Sequence, residues 1–221
     1  MKSLYYDIET CALPIEDLRK IMPEFDENEV KTGNIKDPEK IRAKIEEARE
    51  GHEANFIDRA ALKAISGCVV AVTFAEDDAP PQMKVGDELA LIRHFRDRCN
   101  TAIHLGANIY SWNGAGFDIP FMLQRGAVHN LGLHGKFMSC FKGRFSVNER
   151  FIDAMQVWIA AYGGDKTGSS LNTVSKALGI GQKTGSGKDF AALLKSDPKK
   201  AEEYALMDCV LLRDIVTRMG I

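Results

Sequence analysis

Hydrophobic and polar positions change period several times along this 221-residue chain, and each change marks an element. Leu4 to Glu9 is apolar and aromatic before it turns acidic, which predicts a first strand. Residues 12–60 are rich in Glu, Lys and Asp and read as a charged surface insertion. Within them Ile41, Ile45 and Ala48, spaced by four and then three, predict a helix from about Asp37 to Arg49. Gly67 to Phe74 is a β-branched run of buried-strand length, and Met83 to Val85 returns as an edge strand after Pro80-Pro81. Asp87 opens an amphipathic helix through Cys99, with Leu89, Ile92, Phe95 and Cys99 on one face. Ala107 to Trp112 is a further strand, ended by Asn113-Gly114-Ala115-Gly116; Phe117 to Gly126 then predicts a helix with Pro120 in its first turn, where proline is tolerated. Phe151 to Met155 reads as a strand, followed by helices near Leu171 to Leu178 and Asp189 to Lys195. The last helix has both its signals: Asp197 as N-cap with Pro198 at the first helical position, and Gly220 as the stop after Met219. Strands interleaved with helices describe an α/β layered domain spanning 1–221.

Composition narrows the class. With 19 Gly, 7 Pro, 45% hydrophobic and 27% charged residues the chain is neither collagen-like, low-complexity nor disordered. No run approaches the ~18 apolar residues of a membrane span, and charge follows Met1 too soon for a signal peptide, so a soluble cytoplasmic protein without membrane contact is expected. Cys11, Cys68, Cys99, Cys140 and Cys209 are scattered without a C-x-x-C, which predicts buried small hydrophobes and neither disulfides nor zinc. The net charge of −2 excludes a globally basic nucleic-acid coat but not a local basic groove. From Lys136 to Lys200 there are eleven Lys or Arg against five acids, the one marked cationic excess in the chain.

Candidate chemistry sits in three acidic places. In Asp7-Ile8-Glu9, strand alternation turns both carboxylates to one face, where their repulsion is relieved if a cation lies between them; a polar strand end entering a loop is the plainer alternative. In the last helix Ala201, Tyr204, Asp208, Leu211 and Ile215 follow 3, 4, 3, 4 spacing, so Asp208 stands in the stripe that faces the core. An ionised carboxylate there needs a partner or a metal, and the sequence identifies no partner. Tyr204 lies one turn earlier on the same face. Asp118 follows a glycine-bearing turn, where it is either a helix cap or a ligand; the two glycines permit close approach of a ligand beside Asn113 and the aromatic Phe117.

Asp-Ile-Glu-Thr at 7–10, Asn-Gly-Ala-Gly-Phe-Asp at 113–118 and Tyr-Ala-Leu-Met-Asp at 204–208 resemble, in order and placement, the three exonuclease motifs of the DEDD superfamily of 3′-5′ exonucleases. The likeness is greatest to the proofreading domain of family B DNA polymerases and to the free-standing predicted exonucleases related to it. It spans nearly the whole chain, with further matches at Gly67 to Phe74, Phe151 to Asp153 and Ser169 to Ile180. Tyr204 four residues before Asp208, with Glu203 at the neighbouring position, places the chain with the tyrosine type, which ribonuclease D relatives share. The segments 11–66 and 136–150 match no motif.

The resemblance implies a ribonuclease H-like fold, a mixed central sheet flanked by helices. It implies hydrolysis of phosphodiester bonds from the 3′ end of DNA, single-stranded by preference, with release of 5′-mononucleotides. Two Mg²⁺ or Mn²⁺ ions about 4 Å apart would activate water and stabilise charge. Asp7, Glu9 and Asp208 would hold one ion, Asp7 bridging to a second that Asp118 holds largely through water. Tyr204, with an unperturbed pKa of ~10, suits orienting water better than taking its proton. Thr10, Asn113 and Phe117 are the implied substrate contacts. Lys183 and Lys188 join them from charge and position, in a glycine-bearing basic loop, 179–188, that does not meet the phosphate-loop pattern G-x-x-x-x-G-K-[ST]. Asp153 reads as a structural strand acid, Lys199 and Lys200 as solvated, and the five histidines as surface or core residues. The alternatives are a ribonuclease D-like RNA-processing enzyme and a non-catalytic nucleic-acid-binding module of the same fold. Proofreading would need a separate DNA polymerase or replication protein as partner.

Overall fold

The computed structural model describes residues 1–132, 150–162, 167–183, 185 and 190–221. The sequence expectations for Cys140, Lys188, the start of the helix at Asp189 and most of the unmatched segment 136–150 therefore lie outside the described residues. The chain forms two compact units, one of residues 12–68 and one of 1–11 with 69–221.

The larger unit is built on a five-stranded sheet of β1 (Ser3–Ala12), β2 (Gly67–Glu76), β3 (Gln82–Val85), β4 (Asn108–Ser111) and β5 (Phe151–Asp153), in the order β3-β2-β1-β4-β5. β1 pairs with β4, and β4 with β5, in parallel; β2 pairs antiparallel with β3, so the sheet is mixed. β1 sits at the centre and is covered on both faces, which is why Leu4, Tyr5 and Tyr6 are all buried in succession. β1 continues to Ala12, three residues past the expected end.

One face carries Tyr6, whose ring meets Phe95 of α4 (Glu88–His104) edge-on at 5.1 Å. The opposite face carries Tyr5, stacked at 5.2 Å on Tyr110, its register partner on β4. That second face is covered by α7 (Leu171–Ala177) and by the long α9 (Pro198–Met219), through Val174, Leu211, Leu212, Ile215 and Val216. Each such side chain taken from water contributes about 1.5–3 kcal/mol. α9 has the expected ends: the Asp197 carboxylate accepts from Lys200 N at 3.2 Å, and Gly220 closes the helix at φ +69°. Only glycine takes that angle readily, so the stop is built into the residue.

Several boundaries differ from the sequence pattern. In α4 it is Leu91, not Leu89, that is buried with Ile92, Phe95 and Cys99, and the helix runs on to His104. The strand at 151 ends at Asp153, and α6 (Ala154–Tyr162) begins where the pattern continued it to Met155. So short and largely apolar a stretch carries no period to separate strand from helix, and the Asp153 carboxylate, accepting from Met155 N and Gln156 N, starts the helix. α5 (Asp118–Val128) begins one residue late and leaves Phe117 as its cap position. α8 (Phe190–Ser196) packs Phe190 against Tyr204 on α9.

The smaller unit holds α1 (Ile15–Ile21), α2 (Pro38–Glu50) and α3 (His52–Asp58); α2 has the expected N-cap, Asp37 accepting from Glu39 N. Of the described cysteines, Cys99 and Cys209 are buried as expected, whereas Cys11 and Cys68 are only half-buried. Among the described residues no helix is long and apolar enough to cross a membrane.

Candidate active site

β1 and α9 bring residues from the two ends of the sequence together. The carboxylates of Asp7 and Glu9, on one face of β1, and of Asp208, on the buried stripe of α9, place oxygen atoms within 4.8 Å of one another. They line a cleft of about 210 Å³ together with Asp118, the first residue of α5. Asp118 is not a helix cap: its carboxylate is buried and accepts from its own backbone N–H and that of Ile8.

Acids packed this closely resist ionisation. Burial first, and then Asp208, Asp118 and Glu9, push the Asp7 carboxyl well above the usual carboxylate range. Burial and Asp208 raise Glu9 to about 8. Burial also raises Asp118 to about 7, against its backbone hydrogen bonds and with the Asp153 charge adding to the rise. Asp208 is raised by burial against the pull of Lys183.

Lys183 is the partner that the sequence did not identify for Asp208. Its Nζ lies 2.5 Å from Asp208 Oδ2 and 3.3 Å from the Tyr204 hydroxyl, and its backbone N–H donates to Asn172 Oδ1 at 2.9 Å. Burial would lower the ammonium's pKa, but the Asp208 carboxylate overrides it, so Lys183 stays charged. The other oxygen, Asp208 Oδ1, is buried without a hydrogen-bond partner among the described residues. Tyr204 is buried beside these groups, and burial with the Asp208 charge raises its hydroxyl to about 12.

The far wall of the cleft is the turn after β4. Asn113 has φ +64°, and its carbonyl accepts from Gly116 N and Phe117 N. Gly114 is needed for close approach, because a Cβ there would collide with Ser111 and the Tyr6 hydroxyl. Asn113 and Phe117 both line the cleft, as does Trp112, which sequence reasoning missed. Trp112 is tethered through Nε1–H to the Ser169 carbonyl at 3.0 Å, a contact that no local pattern announces. Thr10 is not among the lining residues, which on β1 are Asp7, Ile8 and Glu9. A larger groove of about 740 Å³ lies within 12–68, but its charges, among them Glu24, Asp26, Glu29 and Glu47 with Lys31, Lys44, Arg59 and Lys63, balance and present no convergent chemistry.

The family model described as predicted 3′-5′ exonuclease related to the exonuclease domain of PolB matches residues 54–212. The chain belongs to this family. Its fold is that of the ribonuclease H-like exonuclease domain: the family B DNA polymerase of the hyperthermophilic archaeon Pyrobaculum calidifontis superposes with a TM-score of 0.61 at 14% identity. The match covers 99% of this chain and 24% of that polymerase, so the chain spans about a quarter of the polymerase's length. Comparison with curated proteins finds no match. Membership in a family of predicted exonucleases makes the acid cleft the place to look for hydrolysis.

Proposed function

We propose that the chain is a metal-dependent 3′-5′ exonuclease of the tyrosine type, acting on DNA with preference for single strands and releasing 5′-mononucleotides. The observation that carries this reading is the meeting of Asp7, Glu9 and Asp208 beside Tyr204, with one buried Asp208 oxygen left without a hydrogen-bond partner among the described residues. Carboxylates crowded until they hold protons, and a buried oxygen with nothing to bind, fit a hard divalent cation. Asp7, Glu9 and Asp208 would hold the first ion, and Asp7 with Asp118 a second, Mg²⁺ or Mn²⁺ in each case. When bound, such ions supply an activated water and neutralise charge on the phosphate oxygens.

The remaining tasks fall to the chain's own groups. Lys183 holds Asp208 Oδ2, so Oδ1, which has no hydrogen-bond partner among the described residues, would be the oxygen free to take an ion. Tyr204, protonated at neutral pH, donates its hydroxyl proton and orients water rather than abstracting a proton. Asn113, Phe117 and Trp112 form the wall against which a terminal nucleotide would stack and hydrogen-bond. Lys183 thereby serves the acids as well as any phosphate. Digestion of single-stranded DNA, duplex DNA and RNA, each labelled at the 5′ end, tests the proposal. Stepwise shortening of single-stranded DNA that stops in chelator is expected. Activity that persists in excess chelator, or a stronger preference for RNA, would overturn the mechanism or the substrate respectively.

A further inference from the structure

We infer that Asp153 is a positioning residue for this site: its carboxylate holds the Asn113 turn against the acid cleft, so that Asn113 and Phe117 meet the terminal nucleotide. The inference rests on the exonuclease reading above. Asp153 ends β5, in register with Ser111 on β4, and is only 7% exposed. Its two oxygens are engaged by backbone donors from two elements. Oδ1 accepts from Asn113 N at 3.0 Å, Met155 N at 3.1 Å and Gln156 N at 3.3 Å; Oδ2 accepts from Ala115 N at 3.1 Å. One carboxylate thus starts α6 and anchors the turn at two points. Oxygens used in this way are poor metal ligands, and Asp153 is not among the three acids that converge.

The turn needs anchoring because Asn113 lies at φ +64°, a conformation that costs any residue with a Cβ, though asparagine least. Charge-assisted bonds from buried N–H groups to a carboxylate are strong, and the N–H groups are costly to leave without an acceptor. Losing them frees the turn to relax toward ordinary backbone angles. A displacement of about 1 Å at a substrate-positioning group is enough to cost up to about a hundredfold in rate or affinity.

Two substitutions separate the two jobs of Asp153. Asp153→Asn keeps an oxygen for the helix start and turns an amide N–H₂ toward Ala115 N. Asp153→Ser keeps a helix cap but is too short to reach the turn, so a folded protein remains for testing even if the asparagine variant fails. Three measurements apply: hydrogen exchange at the Asn113 and Ala115 amides, KM and kcat on 5′-labelled single-stranded DNA, and Mn²⁺ affinity by calorimetry. Exchange at both amides should accelerate and KM should rise about ten- to a hundredfold, while kcat stays within about twofold and Mn²⁺ affinity changes by no more than about threefold, the share owed to the lost Asp153 charge beside Asp118. In an Asn113→Ala background, Asp153→Asn should add nothing further, because both act through one turn.

An unchanged KM in folded Asp153→Ser, or additive penalties in the double variant, would overturn the inference. So would a tenfold or larger shift in Mn²⁺ affinity with KM unchanged, since Asp153 would then act chiefly through its charge on Asp118. A wild-type protein that neither binds nor cuts nucleic acid refutes the exonuclease reading instead, and amide exchange still decides whether Asp153 holds the turn.

Discussion

Asp7, Glu9, Asp118 and Asp208 line one cleft in which Lys183 is, among the described residues, the cation within bonding distance of Asp208, and several properties of the protein follow from that crowding of acids. Neutralising the acid most exposed to its neighbours, by Asp7→Asn, should raise the metal-free melting temperature by about 2–4 °C, the shift that about 1 kcal/mol gives a domain of this size, while hydrolysis falls by orders of magnitude. Glu9 and Asp118 titrate at about 8 and about 7 in the folded protein, above the 4.5 and 3.8 of ordinary side chains, so near pH 6 the folded state holds protons that the unfolded state has released. Their contribution to metal-free stability is therefore complete below about pH 4 and lost as pH rises through 7 to 8. Calorimetric scans in chelator across this range should show the melting temperature falling, and Asp118→Asn should flatten the fall. Tyr204→Phe removes a donor and little volume. It should cut kcat about ten- to a hundredfold with substrate binding nearly intact, and an unchanged kcat would return Tyr204 to the core.

Between elements, Glu88 at the start of α4 makes a multiple polar tie. Its carboxylate accepts from Val69 N on β2 and from Arg125 Nε at 2.8 Å each, and lies 2.6 Å from both Arg125 Nη2 and His129 Nε2 at the other end of α5. Burial would raise the Glu88 carboxyl, but Arg125 and His129 outweigh it, so the group is lowered and its support is lost only in acid, opposite in sign to the active-site acids. Glu88→Ala leaves Arg125 buried without this partner and should cost about 3 kcal/mol or more in urea unfolding at unchanged slope. Nothing in the local pattern around Glu88 announces this tie, because its partners lie 19, 37 and 41 residues away. The same limit decides what else was legible. β1, β2 and α9 carry their own signals: an apolar run, β-branched residues, an N-cap with proline and a terminal glycine. α6 carries none, since all its residues but Gln156 are apolar, and α1 and α3 are single short helices of seven residues without a buried stripe. In the cleft, the acids and Tyr204 could be read from spacing and resemblance. Lys183 could not be paired with Asp208, nor Trp112 placed, because both are set by folds of the chain that bring distant segments together.

Across the whole molecule, the acids join the first strand to the last helix, residue 7 to residue 208, so whatever cation they take links nearly the full length of the sequence. A ligand held by the folded state alone stabilises all of it by RT ln(1 + [L]/Kd), about 2.7 kcal/mol at a hundredfold excess over Kd. Metal-free, the same contact is a point of repulsion between β1 and α9, tempered by Lys183. Mn²⁺ or Mg²⁺ should therefore raise the melting temperature, and by more at pH 8 than at pH 6, because the acids must release their protons to bind. That pH dependence opposes the one expected in chelator, so the two curves diverge as pH rises. Lys183→Ala should steepen the metal-free decline with pH by removing the countercharge, whereas Asp208→Ala should abolish the response to metal. Melting curves of the three proteins with and without Mn²⁺ at the two pH values check this. If metal stabilises wild type and Asp208→Ala equally, the cation binds somewhere else and the cleft is not its site.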